Sequence, residues 1–472
     1  MVYQLAQSVA SGFRAIRLPN AASQVRVLSS PTEFYNTLLE RLGSSRRRVI
    51  LGSLYLGDAS PLEQRLLQGI HASLSSIRQL EVRLLLDCSR SMRGNAHVRQ
   101  FCPIKSEHGS RFQVHLFTAP QASRSFVGLV PERLREVFGV QHVKCYVFDD
   151  AVIMSGANLS DQYFENRQDR YIMFENVPEL ADWYQDLVCV LAGHSKSLDS
   201  QGLLHRAPAS PSSSSSAALR EDLLHLLKPS ARTEPSNMHC DSFVVPTLQL
   251  GSLGLRTEEF MLDSILARIS ASSSSVSGSK SAQKPRQYPR IAMSTAYMNL
   301  TRRMQDGLIM QSSPCPLEVI TSSPAANGFY TAKGMSGHIP SAYAYLEQTF
   351  IDRARRYGQA SRIKVMEYAR DNWTFHAKGL WAFSNRDDGS ACGTAAPPEA
   401  FTFVGSSNYG IRSMDRDLES QCLLATRNPT VVSALESEVR NLERYCNPRS
   451  SDAKIKVPFW VPFATERIKQ FF

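Results

Sequence analysis

Two histidine–lysine pairs stand out for what they could do to a phosphate ester. His142 and Lys144 lie two apart in QHVKCYVFDDAVIMSGANLS, and His376 and Lys378 lie two apart in WTFHAKGLWAF. In an extended strand, residues two apart face the same side, so each pair presents an imidazole and an ammonium to one surface. Each pair is followed by a small-residue turn ending in asparagine: Ser155-Gly156-Ala157-Asn158, and Gly405-Ser406-Ser407-Asn408. Eleven residues past each asparagine sits an acid, Asp169 and Glu419. His, Lys, Asn and acid thus occur twice in one order. A neutral imidazole attacks phosphorus, and an imidazolium protonates a leaving oxygen. The lysines and asparagines offer donors to phosphoryl oxygens as charge builds. Each acid can orient a histidine through its second ring nitrogen. Such a set performs phosphodiester exchange with side chains alone, so no cofactor and no metal are expected.

The elements that must carry these residues repeat as well. RVILGSLYLG (48–57) and RIAMSTAYMNL (290–300) share one shape, with Tyr55 and Tyr297 at the same offset from their arginines. Each precedes a helical stretch and a second strand, VRLLLD (82–87) and LEVITSSP (317–324). This β-α-β rhythm predicts an α/β fold of two pseudo-symmetric halves. Their mixed or parallel sheets are flanked by helices, and the active site falls between the halves. The interval from Lys144 to Asn158 is 14 residues and from Lys378 to Asn408 it is 30, the longer one holding SNRDDGSACGTAAPPEA as a surface loop. Serine-rich stretches at Ala207–Ala218 and Ser270–Lys284 bracket a segment of helical spacing, Leu219–Arg268. The expected organisation is a mobile N-terminus (1–23), a first half (24–205), a connector (206–284) and a second half (285–472) with an aromatic tail.

The chain of 472 residues carries a formal charge of +10, which suits phosphate-rich partners without choosing among them. No run of 18 apolar residues appears, so no transmembrane helix is expected. Nine cysteines without a CxxC pair argue against a disulfide framework or a zinc site. The first 32 residues contain no acid and include Arg14, Arg17 and Arg26, the composition of a mitochondrial presequence remnant. APQASRSFVGLVPERLREVFGV (119–140) and the tail VPFWVPFATERIKQFF (457–472) mix apolar and basic residues, and each is a candidate for contact with an anionic membrane surface or for packing on the core.

The duplicated pattern resembles the phospholipase D superfamily, whose signature is H-x-K-x4-D followed by G-S-x-N. The first copy is His142, Lys144 and Asp149 with Asn158; its turn reads Ser-Gly where Gly-Ser is usual. The second is His376, Lys378 and Asn408, with Phe383 at the aspartate position. That aspartate is generally structural in the superfamily, so its loss bears on packing. A closer resemblance, from QVRVLSSPTEFY (24–35) to the C-terminus, is to the mitochondrial phosphatidylglycerophosphate synthase family. It is carried by PERLREVFGVQHVKCYVFDD, SGANLSDQYFENRQDRY, SPAANGFYTAKG and RDLESQ.

The resemblance implies transfer of a phosphatidyl group from CDP-diacylglycerol to glycerol 3-phosphate with release of CMP, at the inner mitochondrial membrane. It implies His142 as nucleophile and His376 as acid/base. Lys144, Lys378, Asn158 and Asn408 would clamp the phosphoryl group, with Asp169 and Glu419 orienting the histidines. The acceptor's own phosphate needs a further cation, for which Lys333 is the first candidate. Arg167, Arg170, Arg412 and Arg416 stand near the acids. Tyr55, Tyr297 and Ser407 are candidates to line the cleft, and Asp87 and Arg90 follow a strand end. Other acceptors, as in cardiolipin or phosphatidylserine synthases, a nucleic-acid phosphodiesterase, and a non-enzymatic lipid-binding scaffold remain alternatives. No nucleic acid is expected as partner, since aromatic and basic residues do not interleave along a groove.

Overall fold

A computed structural model describes the chain except residues 94–95, 124–129, 131–134, 207–214, 229–239, 275–287, 385–396, 450–456 and 472. Within 119–140, residues 124–129 and 131–134 lie outside the described residues, as do most of both serine-rich stretches.

Two sheets repeat one topology. In the first, strands Phe112–Phe117, Glu81–Asp87 and Arg48–Gly52 run parallel; Cys145–Phe148, Ala151–Ser155 and Tyr171–Phe174 continue the sheet antiparallel. In the second, Ile363–Tyr368, Leu317–Ser322 and Arg290–Ser294 are followed by Gly379–Phe383, Ala400–Gly405 and Glu419–Thr426 in the same order and sense. Apolar residues fill the strands on both faces, the pattern of a sheet covered by helices. One hydrophobic cluster joins the two sheets. It includes Val147, Met154 and Ile172 of the first, Trp381, Val404 and Leu424 of the second, and residues of the helices Pro178–Gly193 and Pro429–Glu443. Separate clusters cover the outer face of each sheet.

The connector is more than a connector. Ser242–Leu250 is a buried strand pairing antiparallel with Glu419–Thr426, and the helix Thr257–Ser274 packs its Met261, Leu262, Ile265 and Ile269 into the second outer core. The leading residues are ordered too. Val2, Tyr3, Ala6, Val9 and Ala10 fall on one face of the helix Val2–Ala10 and are buried against that same core, while Ile16–Arg17 pairs with Val244 and Phe243. A helical apolar stripe outweighed the mobility expected from an acid-poor start.

Two short parallel contacts stitch the halves together at the site. Thr374–Phe375 pairs with Arg167–Gln168, and Gln141 bridges Leu418. The backbone N–H of His376 donates to the Gln168 carbonyl at 2.8 Å, and that of His142 to the Leu418 carbonyl at 2.8 Å. Each histidine therefore hangs from a strand of the opposite half.

Candidate active site

The acids cross over. His142 Nδ1–H donates to Glu419 Oε2 at 2.9 Å, and His376 Nδ1–H donates to Asp169 Oδ2 at 2.6 Å. Each pair joins one half to the other, so neither half holds a complete His–acid unit. Each lysine folds back onto the carbonyl of its own histidine: Lys144 Nζ to His142 O at 2.8 Å, and Lys378 Nζ to His376 O at 2.5 Å. Lys378 also lies 3.6 Å from Asp169. Burial brings the Lys144 ammonium down to about 7 and that of Lys378 to about 8. The charges of Glu419 and Asp169 only partly offset that burial.

The two imidazoles sit in different fields. Burial lowers both. At His142 the charges of Glu419 and Asp417 push back upward; at His376, Lys378, Arg167 and Lys144 press it further down. Glu419 is held below the usual carboxylate range: burial raises it, but the His142 charge and hydrogen bond, Lys144 and the Ser406 hydroxyl outweigh burial. Ser406 Oγ donates to Glu419 Oε2 at 2.5 Å. Asp169 is pushed up to about 6 by burial, against the pull of Lys378, the Arg170 amide and Lys144. Where the second half has Ser406, the first has Gly156. A Cβ there would stand 2.7 Å from Asp169 Oδ1 and 3.0 Å from Lys378 Nζ, so the reversed Ser-Gly order makes room for the opposite half's lysine.

The asparagines differ as well. Asn158 Oδ1 accepts from the Leu54 amide at 3.3 Å, and its Nδ2 donates to Tyr163 Oη at 3.2 Å. Tyr163 Oη donates in turn to His376 Nε2 at 3.3 Å. The Asn408 amide oxygen is buried without a hydrogen-bond partner, which leaves its side chain available to a ligand.

Other candidates fall inside or outside this cluster. Tyr297 stands edge-on to His376, with ring centroids 6.1 Å apart. Tyr55 is half-buried, hydrogen-bonded to Ser160 at 3.2 Å and covered by Arg90. Ser407 receives the Tyr409 amide and is fully buried behind the turn. Arg416 donates to the Val137 carbonyl and lies over the Phe471 ring, so it fastens two segments. Asp87 accepts the Gln141 amide at 2.9 Å and thereby holds the strand that delivers His142. Lys333 is exposed on its loop, joined to neither histidine by a hydrogen bond or ion pair among the described residues.

Asp149, the aspartate of the first motif, stands away from both histidines. Its carboxylate accepts the backbone amides of Arg46, Arg47 and Arg48 at 2.8, 2.8 and 3.0 Å, beyond the far end of strand Cys145–Phe148 from His142. It caps a turn. In the second half Phe383 is buried there and Arg290 stacks on its ring at 5.1 Å, replacing a polar cap by packing. Tyr163 was missed by sequence reasoning: nothing in its spacing marks it, and only the short helix Asp161–Glu165 turns it toward the opposite half.

Doubled sheets, crossed acids and paired His–Lys segments form one site between the halves. The fold is that of a phosphatidylserine synthase from Haemophilus influenzae Rd KW20, with TM-score 0.72 at 18% identity over 100% of both chains. No family model matches the chain. Curated relatives include the mitochondrial CDP-diacylglycerol–glycerol-3-phosphate 3-phosphatidyltransferases of Gallus gallus and Homo sapiens. Each is 32% identical over 96% of this chain and 84% of the relative. The chain belongs to that family.

Proposed function

We propose that the chain transfers the phosphatidyl group of CDP-diacylglycerol to glycerol 3-phosphate, giving phosphatidylglycerophosphate and CMP, the committed step toward phosphatidylglycerol and cardiolipin. The observation that carries the reading is the histidine pair, each imidazole anchored at Nδ1 by a carboxylate of the opposite half. Membership in a family named for this activity supports it.

His142 Nε2 attacks the lipid-side phosphorus, the bond to the CMP oxygen breaks, and a phosphatidyl-histidine forms. His376 protonates departing CMP, then takes the proton of the acceptor's primary hydroxyl, whose oxygen displaces His142. His142 Nε2 has no hydrogen bond to the described residues, as a nucleophile requires. His376 Nε2 meets Tyr163 Oη at 3.3 Å, a contact that aims the ring carrying the proton. Lys144, Lys378 and Asn408 clamp the phosphoryl oxygens. No helix among the described residues is long and apolar enough to cross a membrane. The helix Val461–Ile468 buries Val461 and Thr465 while Phe459 and Phe463 stand 94% and 68% exposed beside Arg467. It packs with one face and offers the other to an anionic bilayer, consistent with a peripheral enzyme of the inner mitochondrial membrane.

Purified protein, CDP-diacylglycerol in detergent and radiolabelled glycerol 3-phosphate, with and without EDTA, provide the test. Label should pass to the organic phase with release of CMP in both conditions, and His142→Ala and His376→Ala should each abolish it. Transfer only with added metal would keep the activity and force an ion into the mechanism. No transfer by folded protein would sink the reading.

A further inference from the structure

We infer that Arg167, walled by Tyr163 and Tyr297 and bordered by Gly328, is the subsite for the acceptor's own phosphate, a phosphomonoester dianion. The inference rests on the phosphatidyl transfer proposed above.

Four observations point there. First, three other arginines near the histidines are spent on carboxylates, and Arg416 on the Val137 carbonyl and the Phe471 ring. Arg170 pairs with Glu438 at 2.8 Å, Arg412 with Asp417 at 2.9 Å and Arg90 with Glu136 at 3.6 Å. No carboxylate among the described residues pairs with Arg167. Its Nε donates to Thr374 Oγ1 at 3.0 Å, and its guanidinium lies over the Tyr163 ring at 4.7 Å. A half-buried cation held by neutral groups is ready for an anion. Second, a Cβ placed on Gly328 would stand 3.5 Å from Arg167 Nη2 and 3.7 Å from Tyr297 Oη. The guanidinium and the phenol therefore face one space, which the glycine leaves open.

Third, Arg167 is on the His376 side. It pairs in register with Thr374, two residues before His376, and Tyr163 touches both. A phosphate held here lets the acceptor's hydroxyl reach the imidazole that deprotonates it. Fourth, the other half lacks the feature. Arg167 lies nine residues past Asn158, and nine past Asn408 is Asp417, an acid. The pseudo-symmetry breaks with opposite charge at this position, so a second anion is welcome beside one histidine only. A guanidinium also reads two phosphate oxygens at once, which the exposed ammonium of Lys333 does not.

The test compares glycerol 3-phosphate with glycerol, identical at the reacting hydroxyl, as acceptors for full-length wild type, Arg167→Gln and Thr374→Val. Charge-assisted hydrogen bonds predict that Arg167→Gln lowers the ratio of kcat/KM for glycerol 3-phosphate over glycerol by about 50-fold, chiefly through KM. Thr374→Val, which only frees the guanidinium, should lower it by about 5-fold and gives a second reading if Arg167→Gln does not fold. Wild type that uses glycerol 3-phosphate, with the ratio unchanged in the folded variants, overturns the subsite alone. Wild type that uses neither acceptor overturns the activity and the subsite with it.

Discussion

The two halves share six strands in one order and one sense, yet the surroundings of their histidines differ in charge at one position, Asp417 beside His142 and Arg167 beside His376. Around His142 stand Glu419, made anionic by Ser406 and Lys144, and Asp417, which also accepts the Val140 amide at 2.9 Å. Around His376 stand Asp169, pushed up to about 6, Lys378, and Arg167 in place of an acid. Duplication delivers two imidazoles to one cleft. Local differences, Gly156 against Ser406 and Arg167 against Asp417, then set the two imidazoles in unequal surroundings, the basis of the proposed split into nucleophile and proton carrier. A duplicated scaffold can keep its geometry while its electrostatics diverge, because strand pairing depends on backbone and apolar packing and a field depends on a few side chains.

The sharpest way to break this comparison is to remove each histidine. Both alanine variants should lose at least about 10⁴-fold in transfer. Only His376→Ala should accumulate phosphatidyl-protein with CDP-diacylglycerol, on His142 by mass spectrometry. Adduct on His376 in His142→Ala would invert the assignment. Next come the crossed acids. Glu419→Gln should slow formation of the covalent intermediate and Asp169→Asn its discharge to acceptor, each by about 10²- to 10⁴-fold, separable by rapid-quench kinetics. The reverse pattern would mean that each acid serves its own half.

The lock between the halves is next in size. Arg170 is buried, bidentate to Glu438, and donates to the Lys378 and Phe403 carbonyls at 3.2 and 2.6 Å. Arg170→Ala strands a buried carboxylate and should cost about 3–5 kcal/mol in denaturant unfolding. For pH, the clamp must be charged, and the free-enzyme ammonium groups sit at about 7 and about 8. Raising pH removes those protons, so kcat/KM for CDP-diacylglycerol should begin to fall near pH 7 and fall more steeply above about pH 8. A flat profile to pH 10 would show the lysines retain full charge. The smallest effect is expected at Asp149: Asp149→Asn should cost about 1 kcal/mol of stability with kcat changed less than about twofold, because it caps amides far from phosphorus.

Much of the site was legible because its chemistry is local in sequence. His142 and Lys144 lie just before strand Cys145–Phe148 and Asn158 just after Ala151–Ser155, so the motif is local even though its histidine and lysine fall outside the strand expected for them. The β-α-β repeat gave the sheets for the same reason: apolar runs and their order specify strands. The role of 242–274 was not legible. Its neighbours are serine-rich, and a strand whose partner, Glu419–Thr426, lies far along the chain carries no short-range signal. Nor did composition reveal that the acid-poor start would dock.

By itself, then, the sequence determined the reacting groups, their duplication and the elements that hold them, because side-chain type and spacing of two residues suffice for that. Only the tertiary structure decided which acid meets which histidine, that Gly156 admits Lys378, and that Arg167 rather than Lys333 borders His376. Those are contacts between chain segments about 200 or more residues apart, set by how two sheets pack face to face, and no local pattern encodes them.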